Sequence, residues 1–294
     1  MGNRLNNKVA IITGSGRGIG RAIALAMAKE GARVATNDCD PGFAEAVAQE
    51  IAGLGGVAIP FLGDISKFEV AKELVQTAVH NFGSLDILVN NAGVSRDNPI
   101  WDMTEEDWDY VTAVHLKGSF NCIRHACGVM KEQRWGRIIN TTSPARLGLV
   151  WNSSYSTAKA GIVGLSKGVA LDLSSYGITC NAYAPVAATR MTLSEVHKDR
   201  LTREYDSGAI TKESYERKMN PPPPEAIPPL LVYLCTDEAA DISGQVFGVR
   251  GQEIHIYQER AENSIVKSEG FWTVDELVKL VPKALFSGRE SEAR

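Results

Sequence analysis

Seven short apolar runs rich in β-branched residues recur along this chain of 294 residues, at Lys8 to Thr13, Arg33 to Asn37, Val57 to Leu62, Leu85 to Asn90, Arg137 to Thr142, Ile178 to Tyr183 and Gln245 to Val249. Segments of helical periodicity separate them. Strands that are apolar throughout need cover on both faces, and a parallel neighbour is reached only by a long crossover. The alternation therefore predicts an α/β fold, a doubly wound seven-stranded parallel sheet with helices on both faces. At this length one large domain over 1–294 is expected rather than two.

Two regions break the rhythm. Met191 to Asn220 is charged and helix-prone, and four prolines, Pro221 to Pro224, then stop any helix. Lying beyond the sixth strand, the stretch from about 191 to 224 is expected to cover the substrate. An extension from about 250 to 294 carries Tyr257, Trp272 and an amphipathic run, Val274 to Leu280, too apolar to hang free. It is expected to pack on the body or on a neighbouring subunit.

Charge narrows the partners. With 31 basic and 35 acidic residues interspersed, net −4, the chain offers no basic stripe for a phosphate backbone, so no nucleic acid partner is expected. The five cysteines form no CxxC pair and sit mostly in apolar runs, which favours reduced, buried thiols over disulfides, and no metal site is expected. The polar start lacks the features of a signal peptide, no apolar run reaches membrane-spanning length, and the final Ser-Glu-Ala-Arg is not the Ser-Lys-Leu address. A cytoplasmic protein without membrane partners is the expectation.

Directly after the first strand stands TGSGRGIG, Thr13 to Gly20, leading into an Ala-rich helix. Glycines in such a turn let the backbone approach a pyrophosphate, and the helix start offers unpaired N–H groups and a positive dipole end. Gly14, Ser15, Arg17, Gly18, Ile19 and Gly20 are thus candidates for binding a dinucleotide, although a glycine-rich turn also occurs for packing alone. The second strand ends at Asn37-Asp38, 18 residues beyond Gly20. Asp38 is placed to accept hydrogen bonds from the adenosine ribose and to repel a 2′-phosphate, so NAD is favoured over NADP. Arg17 is the residue that would reverse this preference, since a guanidinium beside the ribose welcomes that phosphate. Asp64-Ile65 after the third strand and Asn91-Ala92-Gly93 after the fourth would leave room for adenine and the nicotinamide ribose.

Tyr155 and Lys159 lie one helical turn apart after the fifth strand, on one face of a helix. A free phenol has a pKa of about 10, and a neighbouring ammonium together with an oxidised nicotinamide ring would bring it down into the range of acid–base work. Ser143, 12 residues earlier at the strand end, is placed to orient a substrate carbonyl. A tyrosine–lysine pair at this spacing is common on helix surfaces; the glycine turn and acidic strand end, in this order, give it meaning.

Taken together these residues resemble the short-chain dehydrogenase/reductase family, from Lys8 to about Val249 through TGSGRGIG, the Asp64 turn, NNAG, Ser143, YSTAK and the segment Asn181 to Thr192. The resemblance implies a Rossmann-type fold, a ribose-holding and proton-relay role for Lys159, and cofactor contacts at Pro185 and Thr189. The family usually has Asn where His115 stands and Gly where Val186 follows Pro185. His115 is either a packed helix histidine or a relay member, the Asn role residing largely in its backbone carbonyl. Both departures are similar to the D-specific 3-hydroxyacyl-CoA dehydrogenase domains of peroxisomal multifunctional β-oxidation enzymes, which also read His-Leu-basic-Gly.

The expected activity is NAD-dependent, reversible oxidation of a bulky secondary alcohol to a ketone: a (3R)-3-hydroxyacyl-CoA, or a steroid or other alicyclic alcohol. Trp151, Asn152, Ser153 and the residues after Ser95 are expected to line the pocket. The alternative is a cofactor-binding redox sensor or inactive subunit. Oligomerisation is expected, because the helix from Tyr155 is apolar on more than one side and carries Gly161, Gly164 and Gly168, and the family resemblance implies a homotetramer or homodimer.

Overall fold

Why the strands sit where they do is visible in their alternation. In β1 (Val9–Thr13), Ala10 and Ile12 face one apolar layer while Val9 and Ile11 face the other, the period of two that a strand imposes. The computed structural model describes residues 2–258 and 273–284. After β1 come β2 (Arg33–Asp38), β3 (Val57–Leu62), β4 (Ile87–Asn90), β5 (Gly136–Thr141), β6 (Ile178–Pro185) and β7 (Val246–Arg250), all parallel. The sheet order is β3-β2-β1-β4-β5-β6-β7-β8, and the last of these corrects the expected seven. β8 (Glu253–Ile256) runs antiparallel to β7 through a tight turn at Gly251, whose φ of +58° suits glycine.

Helices α1 (Gly18–Lys29) and α2 (Phe43–Gly53), with α9 (Pro228–Leu234), bury Ile23, Met27, Val47, Ile51 and Leu231 on one face. On the other, α3 (Phe68–Phe82), α5 (Gly118–Gln133) and α6 (Ser153–Leu173) bury Leu74, Val75, Cys122, Ile123 and Leu173. Between α4 (Glu105–Thr112) and α5 the chain makes a π-helical turn, Ala113–Lys117, an irregularity that helical periodicity does not announce.

The charged stretch after β6 folds as α7 (Glu195–Asp206) and α8 (Lys212–Met219), and the prolines follow as expected. The amphipathic run of the tail forms α10 (Val274–Ala284), but Val274 and Val278 are exposed rather than packed on the body. Tyr257 does pack, against Val163, Ala182 and Val246, whereas Trp272 lies outside the described residues. Cys122, Cys180 and Cys235 are buried and Cys127 is half-buried; Cys39, at the end of β2, is exposed, contrary to the expectation for the thiols. No helix among the described residues is long and apolar enough to cross a membrane.

Candidate active site

The sheet order reverses between β1 and β4, so a crevice opens at their carboxyl ends. The glycine turn closes it from one side. Thr13 Oγ1 accepts the N–H groups of Asn91 (3.0 Å) and Ala92 (3.1 Å), and Asn91 Nδ2 donates to the carbonyls of Thr13 and Gly14 at 3.0 and 3.1 Å. Asn91 therefore braces the turn with its side chain. A Cβ on Gly14 would stand 2.7 Å from Ala92 Cα, and one on Gly20 would stand 2.1 Å from the Gly14 carbonyl, so neither position tolerates a side chain. Arg17, the N-cap of α1, makes no side-chain capping bond, which leaves the first N–H groups of the helix without a side-chain partner.

Ser15 and Asn37 tie the turn to the end of β2, where the Asp38 carboxylate is buried. It accepts the Gly16 N–H and the Asp40 N–H, each at 3.1 Å, and retains lone pairs for ribose hydroxyls. Gly16 is a site residue that the motif reading passed over: a Cβ there would meet Phe43 at 2.4 Å and Asp38 Oδ2 at 2.6 Å. The Asp64 carboxylate is engaged by Ser66, and buried Ile65 fills the space a side chain on Gly118 would need. Across the crevice, the Thr189 methyl lies 3.6 Å from where a Cβ on Gly18 would be, beyond Pro185 at the end of β6. This cradle of buried acid, brace and side-chain-free turn fits a dinucleotide.

Ser143, Tyr155 and Lys159 converge beside it. Lys159 is buried; its Nζ donates to the Thr141 carbonyl at 2.6 Å and stands 5.5 Å from the centre of the Tyr155 ring. Burial pulls the ammonium down to about 7. Burial also pushes the Tyr155 phenol up to about 12, with Ser143 acting to lower it and the Asp97 carboxylate to raise it. The expected downward shift of the phenol is thus not what the chain by itself provides: desolvation of the charged form outweighs the hydrogen bond from Ser143. Ser143 Oγ accepts the Ala145 N–H at 3.1 Å, which fixes the start of the following turn.

His115 sits in the π-helical turn, buried, with its ring edge-on to Tyr155 at 5.1 Å between centres. Its Nε2 lies 2.7 Å from the Val94 carbonyl, and a Cβ on Gly93 would stand 2.4 Å from its Cε1. Burial first, and then Lys159, hold its pKa well below the usual 6.5, so the ring is neutral. It props the segment Gly93-Val94 against the phenol.

Three loops meet over this site. Asp97 accepts a hydrogen bond from Asn152 Nδ2 at 2.6 Å and another from Ser95 Oγ, and Asn98 pairs with Asn152. Trp151 holds φ at 61°, a conformation non-glycine residues seldom adopt, and lies 5.2 Å from the Arg203 guanidinium of α7. The residues after Ser95, Trp151 and Asn152, and α7 of the segment after β6 are therefore brought together. Asp97 falls among the residues after Ser95 that were expected there, but its bond to Asn152 had no signal in the sequence, because a lone aspartate in a loop carries no spacing pattern.

The family model for short chain dehydrogenase matches residues 8–200. The chain belongs to the short-chain dehydrogenase family. As such it is an oxidoreductase of CH–OH groups that binds a nicotinamide cofactor and acts on a small molecule. Among the relatives of this short-chain dehydrogenase, a 3-oxoacyl-(acyl-carrier-protein) reductase of Staphylococcus epidermidis is 38% identical over 250 residues, which is 83% of this chain and 98% of that protein. A hydroxyacyl-CoA dehydrogenase of Mycobacterium tuberculosis is 35% identical over 98% of this chain and 91% of its own length. A peroxisomal hydratase-dehydrogenase-epimerase of Neurospora crassa is 33% identical over 94% of this chain, which spans only 30% of that protein. The crystal structure of a short chain dehydrogenase from Mycobacterium avium superposes with a TM-score of 0.84 at 37% identity, covering 98% of this chain and 97% of its own.

Proposed function

We propose that this chain catalyses the NAD-dependent, reversible oxidation of a bulky secondary alcohol to a ketone, a (3R)-3-hydroxyacyl thioester before a steroid or other alicyclic alcohol, and that residues 1–294 act as one catalytic domain. The observation that carries the reading is the apolar rim of the three loops. Ile100 and Trp101 after β4, Leu147 and Val150 after β5, and Met191, Leu193 and Val196 after β6 all keep much of their surface in solvent. Large exposed hydrophobics on the segments after β4, β5 and β6 are what a surface covered by an apolar ligand would need. The printed names of the relatives cited above concern oxoacyl and hydroxyacyl substrates, which supports the thioester over the steroid.

In this reading Ser143 holds the substrate oxygen, Tyr155 takes its proton during oxidation and returns it during reduction, and Lys159 holds ribose hydroxyls. Gly14, Ser15, Gly16, Arg17, Gly18, Ile19 and Gly20 hold the pyrophosphate, Asp38 the adenosine ribose, Asp64 and Ile65 the adenine side, and Asn91, Ala92, Gly93, Pro185 and Thr189 the nicotinamide half. The bound cofactor supplies the hydride acceptor and, when oxidised, a positive charge that favours phenolate. His115 is a packing residue that stays neutral and keeps Val94 in place. A dimer or tetramer is part of the proposal.

The test is a series of 3-hydroxyacyl thioesters of increasing chain length assayed for NADH formation. Turnover efficiency should rise with chain length, and Trp101→Ala and Leu147→Ala should lower it about tenfold for long chains with little effect on short ones, the worth of one large apolar contact. Efficiency independent of chain length, in the wild type and both variants, would remove the acyl reading.

A further inference from the structure

The carboxyl end of β2 gathers more negative charge than one ribose needs. Asp38, Asp40 and Asp64 all act on the thiol of the exposed Cys39; partial desolvation first, and then these three carboxylates, raise its pKa. Into this cluster Arg17 brings a cation from the glycine turn. Its Nη2 donates to Asp40 Oδ2 at 2.6 Å, and its guanidinium lies over the Phe43 ring, 4.6 Å from the centre. Asp40 is fixed in turn, because its N–H donates to Asp38 Oδ1 while Asp38 Oδ2 accepts from Gly16.

We infer that Asp40 is a specificity-determining residue, which withholds Arg17 from the 2′-phosphate of NADP and so secures the preference for NAD; the inference rests on the NAD reading given above. A guanidinium recognises phosphate through a planar fork of N–H donors. Here Asp40 occupies part of that fork and Phe43 covers one face. A phosphate dianion arriving at Arg17 would have to displace one carboxylate and would then lie beside two, Asp40 and Asp38, with the cost of like charges held close. Asp38 by itself would only decline a phosphate; Asp40 removes the group that would compensate for it.

The strength of the ion pair is not what matters. Arg17 and Asp40 keep 37% and 47% of their side-chain surface exposed, and pairs of that kind add little to stability. The effect is one of occupancy at the place where the second cofactor's extra phosphate would sit. It also explains how an arginine can stand in the turn of an NAD-selective protein without conferring NADP binding.

Dissociation constants of NADH and NADPH, measured by fluorescence titration of the full-length protein, decide the matter. Asp40→Asn and Asp40→Ser should each tighten NADPH about tenfold, as expected for one charge-assisted bond regained, and the gain should vanish in Asp40→Asn combined with Arg17→Ala. Unchanged NADPH affinity in both Asp40 variants, or an equal gain when Arg17 is absent, would overturn the inference. The NAD reading is judged separately: wild-type protein binding NADPH as tightly as NADH, or Asp38→Ala weakening both equally, would remove it, whereas the Arg17-dependence of the Asp40 effect reports on the coupling in either case.

Discussion

Tyr155 and Lys159 have their proton affinities displaced in opposite directions by the same cause. Burial disfavours the charged form of each, so the phenol rises to about 12 and the ammonium falls to about 7. Oxidation needs the phenol as a base and gains with rising pH, whereas reduction needs it as an acid and gains as pH falls. The lysine also has a cost in stability. Its folded pKa lies below the unfolded value of about 10.4, so the unfolded chain binds more protons between the two. The destabilisation is complete below about 7 and fades as pH climbs toward the unfolded value. Lys159→Met should therefore abolish turnover yet raise the Tm of the protein without cofactor by roughly 4 °C or more at pH 7. The gain should shrink as pH rises into the alkaline range; an unchanged or lowered Tm at pH 7, or a gain that grows with pH, would refute it. Ser143, Tyr155 and Lys159 were legible as a set because their spacing follows a glycine turn and an acidic strand end in the order the family shows; spacing alone would not have singled them out. The direction of the Tyr155 shift was not, since burial depends on what packs around the ring. Gly16 and Asp40 were missed for a related reason: the partners that give them meaning, Asp38 and Arg17, lie far away in sequence.

At the level of elements, the inner parallel strands were readable because a strand covered on both faces must be apolar; β3, half-exposed at the sheet edge, was readable from its apolar run alone. β8 was not, because all four of its residues are exposed and only Ile254 and Ile256 alternate with polar neighbours. Its four-residue length is what limits pairing with other chains, since very short edge strands offer few free backbone groups. The π-helical turn was also hidden, and it is what sets His115 against Tyr155. The junction of β1 and α1 makes the sharpest test of element packing. Gly20→Ala puts a methyl group 2.1 Å from the Gly14 carbonyl and 2.6 Å from Asn91 Nδ2, so β1 and α1 must separate. Cofactor affinity should fall at least about tenfold, equivalent to ~1.4 kcal/mol, while helical content measured by circular dichroism stays the same. Wild-type affinity in this variant would show that the close approach is not needed.

For the whole molecule, the parts left uncovered are as informative as the core. Gly164 and Gly168 of α6 have open space where a side chain would be, Leu171 beyond them is 78% exposed, and Phe120 of α5 is 46% exposed. Apolar surface next to glycines that permit close helix contact fits a second copy of the chain. Size-exclusion chromatography with light scattering should give a dimer or tetramer, and a monomer at micromolar concentration would contradict the proposal. Neither the partner nor the substrate was legible from composition, because both depend on surfaces that loops and helices assemble from distant segments. The central claim is that one phenol carries the substrate proton while the crevice beside it holds NAD. It is tested most directly by Tyr155→Phe, with turnover of the best hydroxyacyl thioester and the NADH dissociation constant measured on the same preparation. Turnover should fall by about a thousandfold with NADH binding retained, in keeping with the loss of a general acid–base group; turnover within about tenfold of wild type would mean that the proton travels by another route.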